Sequence, residues 1–166
     1  MTYAKELKLF SIRSLGVVLT LLSPSLLART DAIVQLNSLS FGQTVPKTGF
    51  CELDVSSSAI SSPDNMCLGG AQVAHYQITS DPNTTIVITL NLADDVGQGL
   101  RFAPKARFEN NLGDSSLNLI AGSDTWFSSG SDGIIDIYVG GTLTISNAPQ
   151  GLESYTLSFD LEFRRP

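Results

Sequence analysis

Three kinds of residue are scarce in this chain, and each scarcity excludes a class of function. There is one histidine, His75, and there are two cysteines, Cys51 and Cys67, with no closely spaced cysteine pair. Zinc and most transition metals need several thiolate or imidazole ligands, so no metal site is expected. Catalysis on the Ser-His-Asp pattern would have to use His75, which falls inside an alternating segment, and no Gly-x-Ser-x-Gly elbow exists. Charged residues make up only 16% of the chain, with 10 Lys+Arg against 16 Asp+Glu and a net charge of −6. That balance leaves no basic stripe to neutralise phosphates, which excludes nucleic acid as a partner. No cofactor fingerprint is present, and the chain reads as non-enzymatic.

Long apolar runs are missing as well. The one extended run, residues 15–22, is far shorter than the ~20 residues that a membrane-spanning helix needs. Lys5, Lys8 and Arg13 precede it, and Ser23-Pro24-Ser25 and Leu26-Leu27-Ala28 follow, which is the three-part form of a secretory signal. Residues 1–28 are therefore expected to be a signal peptide cleaved near Ala28. Residues 29–166 would form one exported domain with no transmembrane segment after cleavage. Leu26 is a poor residue three positions before the cut, so the exact bond stays open, with an uncleaved anchor as the alternative. In an oxidising compartment Cys51 and Cys67 are expected to pair, closing a loop that stabilises the fold by ~3 kcal/mol.

What the mature chain does contain is alternation. Tyr155, Leu157, Phe159, Leu161 and Phe163 are large and apolar, while Thr156, Ser158, Asp160 and Glu162 between them are polar. A period of two puts the first set on one face of a strand and the second on the other. Gly140-Gly141-Thr142-Leu143-Thr144-Ile145 alternates too, and the turn-rich residues 146–151 predict a hairpin between the two segments. Ile86, Ile88, Leu90 and Leu92 share one face of another strand. Residues 33–41 alternate with a phase slip at Asn37-Ser38, which predicts a bulge or a change of sheet. Pro104 in residues 100–108 predicts an edge strand, and residues 122–133 read as a Gly/Ser/Asp loop. No stretch repeats at helical spacing. The sum is an all-β antiparallel sandwich of about seven to nine strands.

Several of these residues form a recognisable series: Leu39-x-Phe41-Gly42, Ala74-x-Tyr76-x-Ile78, Gly140-Gly141-Thr142-Leu143-x-Ile145, and Gly151 leading to Tyr155 and the closing alternation. The series resembles the bacterial secreted family catalogued as domain of unknown function 4402. More distantly it is similar to the spore-coat-protein-U-like pilins of archaic chaperone–usher systems. The resemblance spans roughly residues 33–163. It implies an immunoglobulin-like sandwich exported by Gram-negative bacteria to the periplasm, cell surface, fimbrium or medium. It also implies a structural or adhesive role, with other subunits and a periplasmic chaperone as partners. The cysteine pair and the longer spacing between Gly151 and Tyr155 depart from the pilin pattern.

Two ends of the chain carry the functional readings. Ile33, Val34, Leu36, Leu39 and Phe41 would serve either as a first strand of their own domain or as a donor arm completing a neighbour by strand addition. Tyr155, Leu157, Phe159, Leu161 and Phe163 would be the acceptor strand, since only Arg164-Arg165-Pro166 follow it. Tyr155 would also suit a corner anchor. Trp126 and Phe127 are open to two readings, a ligand contact stacking on a sugar or receptor, or an anchor tucked into the core. Asp94-Asp95, Asp114, Asp124, Asp132 and Asp136 lack the spacing of a calcium loop and read as solvated turns. The chain is thus expected to be a pilin-like or surface-appendage subunit, with a stand-alone periplasmic or extracellular binding domain, for instance for carbohydrate, as the alternative.

Overall fold

The computed structural model describes residues 30–148 and 157–166; the proposed signal peptide, residues 1–28, and the corner residue Tyr155 lie outside these described residues. Within them the chain is all-β and antiparallel, with thirteen strands and no helix. In order they are β1 (Ala32–Asn37), β2 (Gln43–Thr44), β3 (Gly49–Leu53), β4 (Ile60–Ser61), β5 (Cys67–Gly69), β6 (Ala74–Thr79) and β7 (Thr85–Leu90). Then come β8 (Ala93–Asp95), β9 (Leu100–Glu109), β10 (Ser115–Asn118), β11 (Asp124–Ser128), β12 (Ile134–Ile145) and β13 (Leu161–Arg164). The number exceeds the expected seven to nine because stretches that read as turns close short pairs such as β2 with β5 and β3 with β4.

The large sheet is built around β12. Along one flank β9 pairs with it from Asp136↔Glu109 to Ile145↔Leu100. Along the other, β6 pairs with residues 134–139 and β3 with residues 141–145. β1 extends β6 and β4 extends β3, while β8 and β10 share the far flank of β9. Gly140-Gly141 sits where β12 passes from one neighbour to the next. A Cβ on Gly140 would collide with the carbonyl oxygen of Leu53, and one on Gly141 with that of Ala103. Gly141 also has a φ of 131°, which side chains rarely tolerate. The glycine pair is therefore the middle of one long strand, and residues 134–139 and 140–145 are not separate elements.

Two expectations change at this level. The hairpin joining residues 140–145 to the closing segment is not formed: β13 pairs with β7 in a second sheet of order β11-β7-β13. A period of two fixes which face a residue takes, but says nothing about which strand lies alongside. Nor is the strand carrying Pro104 an edge. β9 is an inner strand, and Pro104 falls between the reach of β8, which pairs with residues 100–102, and of β10, which pairs with residues 106–109. A proline lacks the N–H that a full ladder needs, and here no outer neighbour claims one.

The two sheets enclose one face each. Ile86, Ile88 and Leu90 of β7 pack with Phe108, Ile135 and Ile137 of the large sheet, and each is 0–1% exposed. Replacing such a side chain with Ala costs about 2–5 kcal/mol. A smaller cluster at one end joins Met66, Leu100 and Ile145 to the disulfide between Cys51 and Cys67, whose Cα atoms are 6.1 Å apart. Ser62 Oγ accepts the backbone N–H of both Met66 and Cys67, which seats the second cysteine. The two cysteines are separated by 16 positions. Converting both to Ser should lower unfolding stability in urea by about 3 kcal/mol; an unchanged midpoint would show that closing this loop contributes nothing.

Candidate functional site

β13 lies on the rim of the three-stranded sheet. It pairs with β7 through Leu161↔Leu90 to Arg164↔Val87, and Asn91 N–H donates to the Asp160 carbonyl at 2.9 Å. No strand pairs with its other edge among the described residues. Leu157, Phe159, Leu161 and Phe163 are half-buried and pack on the main core, while Ser158, Asp160 and Glu162 are exposed. The alternating apolar face expected of the closing segment is thus present from Leu157 onward. Phe159 is the hub of a chain of rings: Tyr76 at 6.2 Å and Phe102 at 5.3 Å, with Phe41 a further 5.8 Å from Phe102. These edge-to-face contacts suit aromatic quadrupoles and fix the row's depth.

The first strand does not cover that rim. β1 pairs with β6, placing Ile33 opposite Ile78, and the register slips between Gln35 and Asn37. The slip is the bulge that the sequence phase predicts. Ile33, Leu39 and Phe41 pack against the core, while Val34 and Leu36 are 55% and 49% exposed. The five residues therefore split three to two rather than forming one apolar stripe.

A latch that no sequence pattern announces holds the start of β1. Arg165 donates two hydrogen bonds to the Asp31 carboxylate, both at 2.8 Å, and a third of the same length to Asp81. Ser80 Oγ adds a bond to Asp31 at 2.7 Å. The Arg165 guanidinium, more than the serine hydroxyl, holds the Asp31 carboxyl below its usual value, and the two carboxylates raise the arginine further. The partners Asp31 and Arg165 are 134 positions apart.

Trp126 and Phe127 part company. Both lie on β11 rather than in a loop, and strand alternation sends them to opposite faces. Phe127 is buried against Phe108, with ring centres 5.9 Å apart, as the anchor reading expects. Trp126 is 61% exposed on the outer face. The registers set Trp126, Val87 and Arg164 in one row across the sheet, and Asp124, Thr89 and Glu162 in the next. Thr89 Oγ1 donates to Asp124 at 2.6 Å, and Arg164 donates to the other oxygen of that carboxylate at 2.5 Å. Both bonds depress the Asp124 pKa, the threonine's first. Asn91 donates to Glu162 at 2.8 Å.

On the outer face of the large sheet, His75 Nε2 lies 2.8 Å from Asp136 Oδ1 and its ring stacks on Tyr138 at 4.6 Å. Arg107 covers Tyr138, also at 4.6 Å. Burial raises the Tyr138 hydroxyl, with Asp136 and Glu109 adding to it. This is a row of planar groups laid across three strands, with the histidine engaged by a carboxylate and a ring. The acidic residues serve locally: Asp95 accepts the Gln98 N–H, Asp132 the Ile134 N–H, and Asp114 an Asn110 amide hydrogen. Among the described residues no three His, Cys, Asp or Glu converge as a metal site would require, and no helix is long and apolar enough to cross a membrane.

The latch generates an acid dependence. Asp31 titrates lower in the fold than in the unfolded chain, so its contribution is present above the ordinary carboxyl value of 3.8 and is lost as pH falls below it. Arg165→Ala should therefore reduce the drop in melting temperature between about pH 6 and about pH 2. Asp54 and Asp124, which are also depressed, would contribute to what is left. An identical drop in wild type and variant would remove the latch from the acid response.

Compared with known proteins, the chain matches no family model, no curated protein and no solved structure.

Proposed function

We propose that this protein is a non-enzymatic, exported structural subunit, pilin-like, that assembles with copies of itself or related subunits by β-strand addition. The observation that carries the reading is the outer rim of β13, where a half-buried alternating row from Leu157 to Phe163 leads into a backbone edge that no strand pairs with among the described residues. An unpaired edge exposes N–H and C=O groups at the spacing of a ladder, and an incoming strand satisfies both while covering the row beneath. The disulfide fits an oxidising compartment. The secretory signal in the sequence and the resemblance to secreted and chaperone–usher proteins support the same reading. The donor would be residues 33–41 of another copy. Its release requires breaking the β1–β6 ladder and the Asp31–Arg165 latch, and a periplasmic chaperone acting on the same rim would hold the subunit meanwhile.

A peptide of residues 30–41 and size-exclusion chromatography of residues 29–166 test this directly. The mature protein should form concentration-dependent oligomers. A version lacking residues 29–36 should stay monomeric and take up the peptide, with a higher melting temperature. A stable monomer in both forms, with no peptide bound by either, would sink strand addition and favour the stand-alone binding domain, for which the exposed Trp126 is the supporting observation.

A further inference from the structure

We infer that the outer face of the β11-β7-β13 sheet is a binding platform for a neutral oligosaccharide, with Trp126 as its stacking surface and Asp124, Arg164 and Glu162 as its polar groups. The reading does not rest on strand addition, because the platform is on the face of the sheet and the proposed assembly edge is at its rim.

A lone exposed aromatic is common, but this one belongs to a fixed array. The register places Trp126, Val87 and Arg164 side by side on three strands, and Asp124, Thr89 and Glu162 beside them. Neighbouring strands are about 4.8 Å apart, so the backbones of Trp126 and Arg164 stand roughly 10 Å from each other, and the Arg164 side chain crosses the middle strand to bond Asp124, which sets the ion pair beside the Trp126 ring. Val87 between them is 1% exposed, so the surface a ligand meets is the Trp126 ring and the Asp124–Arg164 pair. The polar groups are held before any ligand arrives. Thr89 and Arg164 orient the Asp124 carboxylate, and the Asn91 amide orients Glu162.

The chemistry selects the ligand. The C–H face of a pyranose is apolar and flat, and packs on an indole with loss of water from both. Its hydroxyls need acceptors and donors placed beside the ring. Each carboxylate oxygen keeps a free lone pair, and the guanidinium has five N–H donors in a fixed fork. Adjacent hydroxyls can thus donate to Asp124 or Glu162 and accept from Arg164. Two carboxylates against one guanidinium disfavour an acidic sugar, a phosphate or a nucleic acid. Pre-set groups also lose little side-chain freedom on binding.

Trp126 is the only tryptophan in the chain, so its fluorescence reports this site alone. The monomer fraction of the mature protein should be titrated with cello-, chito-, xylo-, manno- and laminari-oligosaccharides, with binding followed in parallel by calorimetry. At least one should shift and enhance the emission. Trp126→Ala should weaken calorimetric binding of that sugar at least tenfold, Asp124→Asn severalfold, and Trp126→Phe less than Trp126→Ala. Leu112→Ala, at an exposed position on a different turn, should change nothing. No emission change with any of the sugars would overturn the inference, as would equal binding by Trp126→Ala. A response to choline chloride alone would also overturn it, by making the platform a cation site. Because the readout uses monomer, a failure here leaves strand addition standing, and a failure of assembly leaves the platform standing.

Discussion

One uninterrupted strand carries the rest of this fold. β12 pairs with β9 over ten positions and with two different strands on its other side, so the strands beyond them reach each other only through it. Its inward residues Ile135, Ile137 and Val139 are fully buried and supply much of the floor on which β7 rests. Such a strand must change neighbours without changing faces, and that is what the two glycines permit. A side chain on either would press into a carbonyl of the adjoining strand. Bending β12 away to make room would separate β6 or β3 from the sheet. The Gly-Gly pair is thus a packing requirement of the large sheet.

The second sheet depends on the first for its stability and carries both of the proposed binding surfaces. With three strands among the described residues it shields the main core, and its middle strand is buried on both faces: Ile86, Ile88 and Leu90 inward, Val87 and Thr89 outward. β7 is therefore rigidly held, and what flanks it is presented on a firm base. This explains how one small sheet can offer two different surfaces. Among the described residues the rim of β13 exposes backbone, which in our proposal receives another chain. The outer face exposes a ring and fixed charges, which in our inference receive a flat polar ligand.

Much of this was legible in the residues. Period-two alternation located the inward face of β7 and of the closing segment, because a side chain's face is a local property of an extended backbone. The phase slip at Asn37-Ser38 fell next to the register shift between Gln35 and Asn37, and the cysteine pair gave its own bond. Strand partnership was not legible, since it is decided by which edges meet after collapse. Hence the closing segment joins β7 rather than β12, and Pro104 sits in an inner strand at the gap between two short neighbours. β11 was hidden by its Gly- and Ser-rich surroundings, which resemble a loop in composition. The contact between Asp31 and Arg165 spans almost the whole described chain and leaves no trace in local sequence.

That last contact sets how the molecule would respond to being pulled. Asp31 and Arg165 enter the fold at one corner, so tension between those two positions falls first on their ion pair and on the contact with Asp81. Once these part, the load passes to the start of β1 and the end of β13, which among the described residues are laddered only to β6 and to β7. A strand loaded from its end on an outer flank peels one bond at a time, whereas one loaded along its length must break all its bonds together. The corner would thus be the first contact to give, ahead of the ladders behind it.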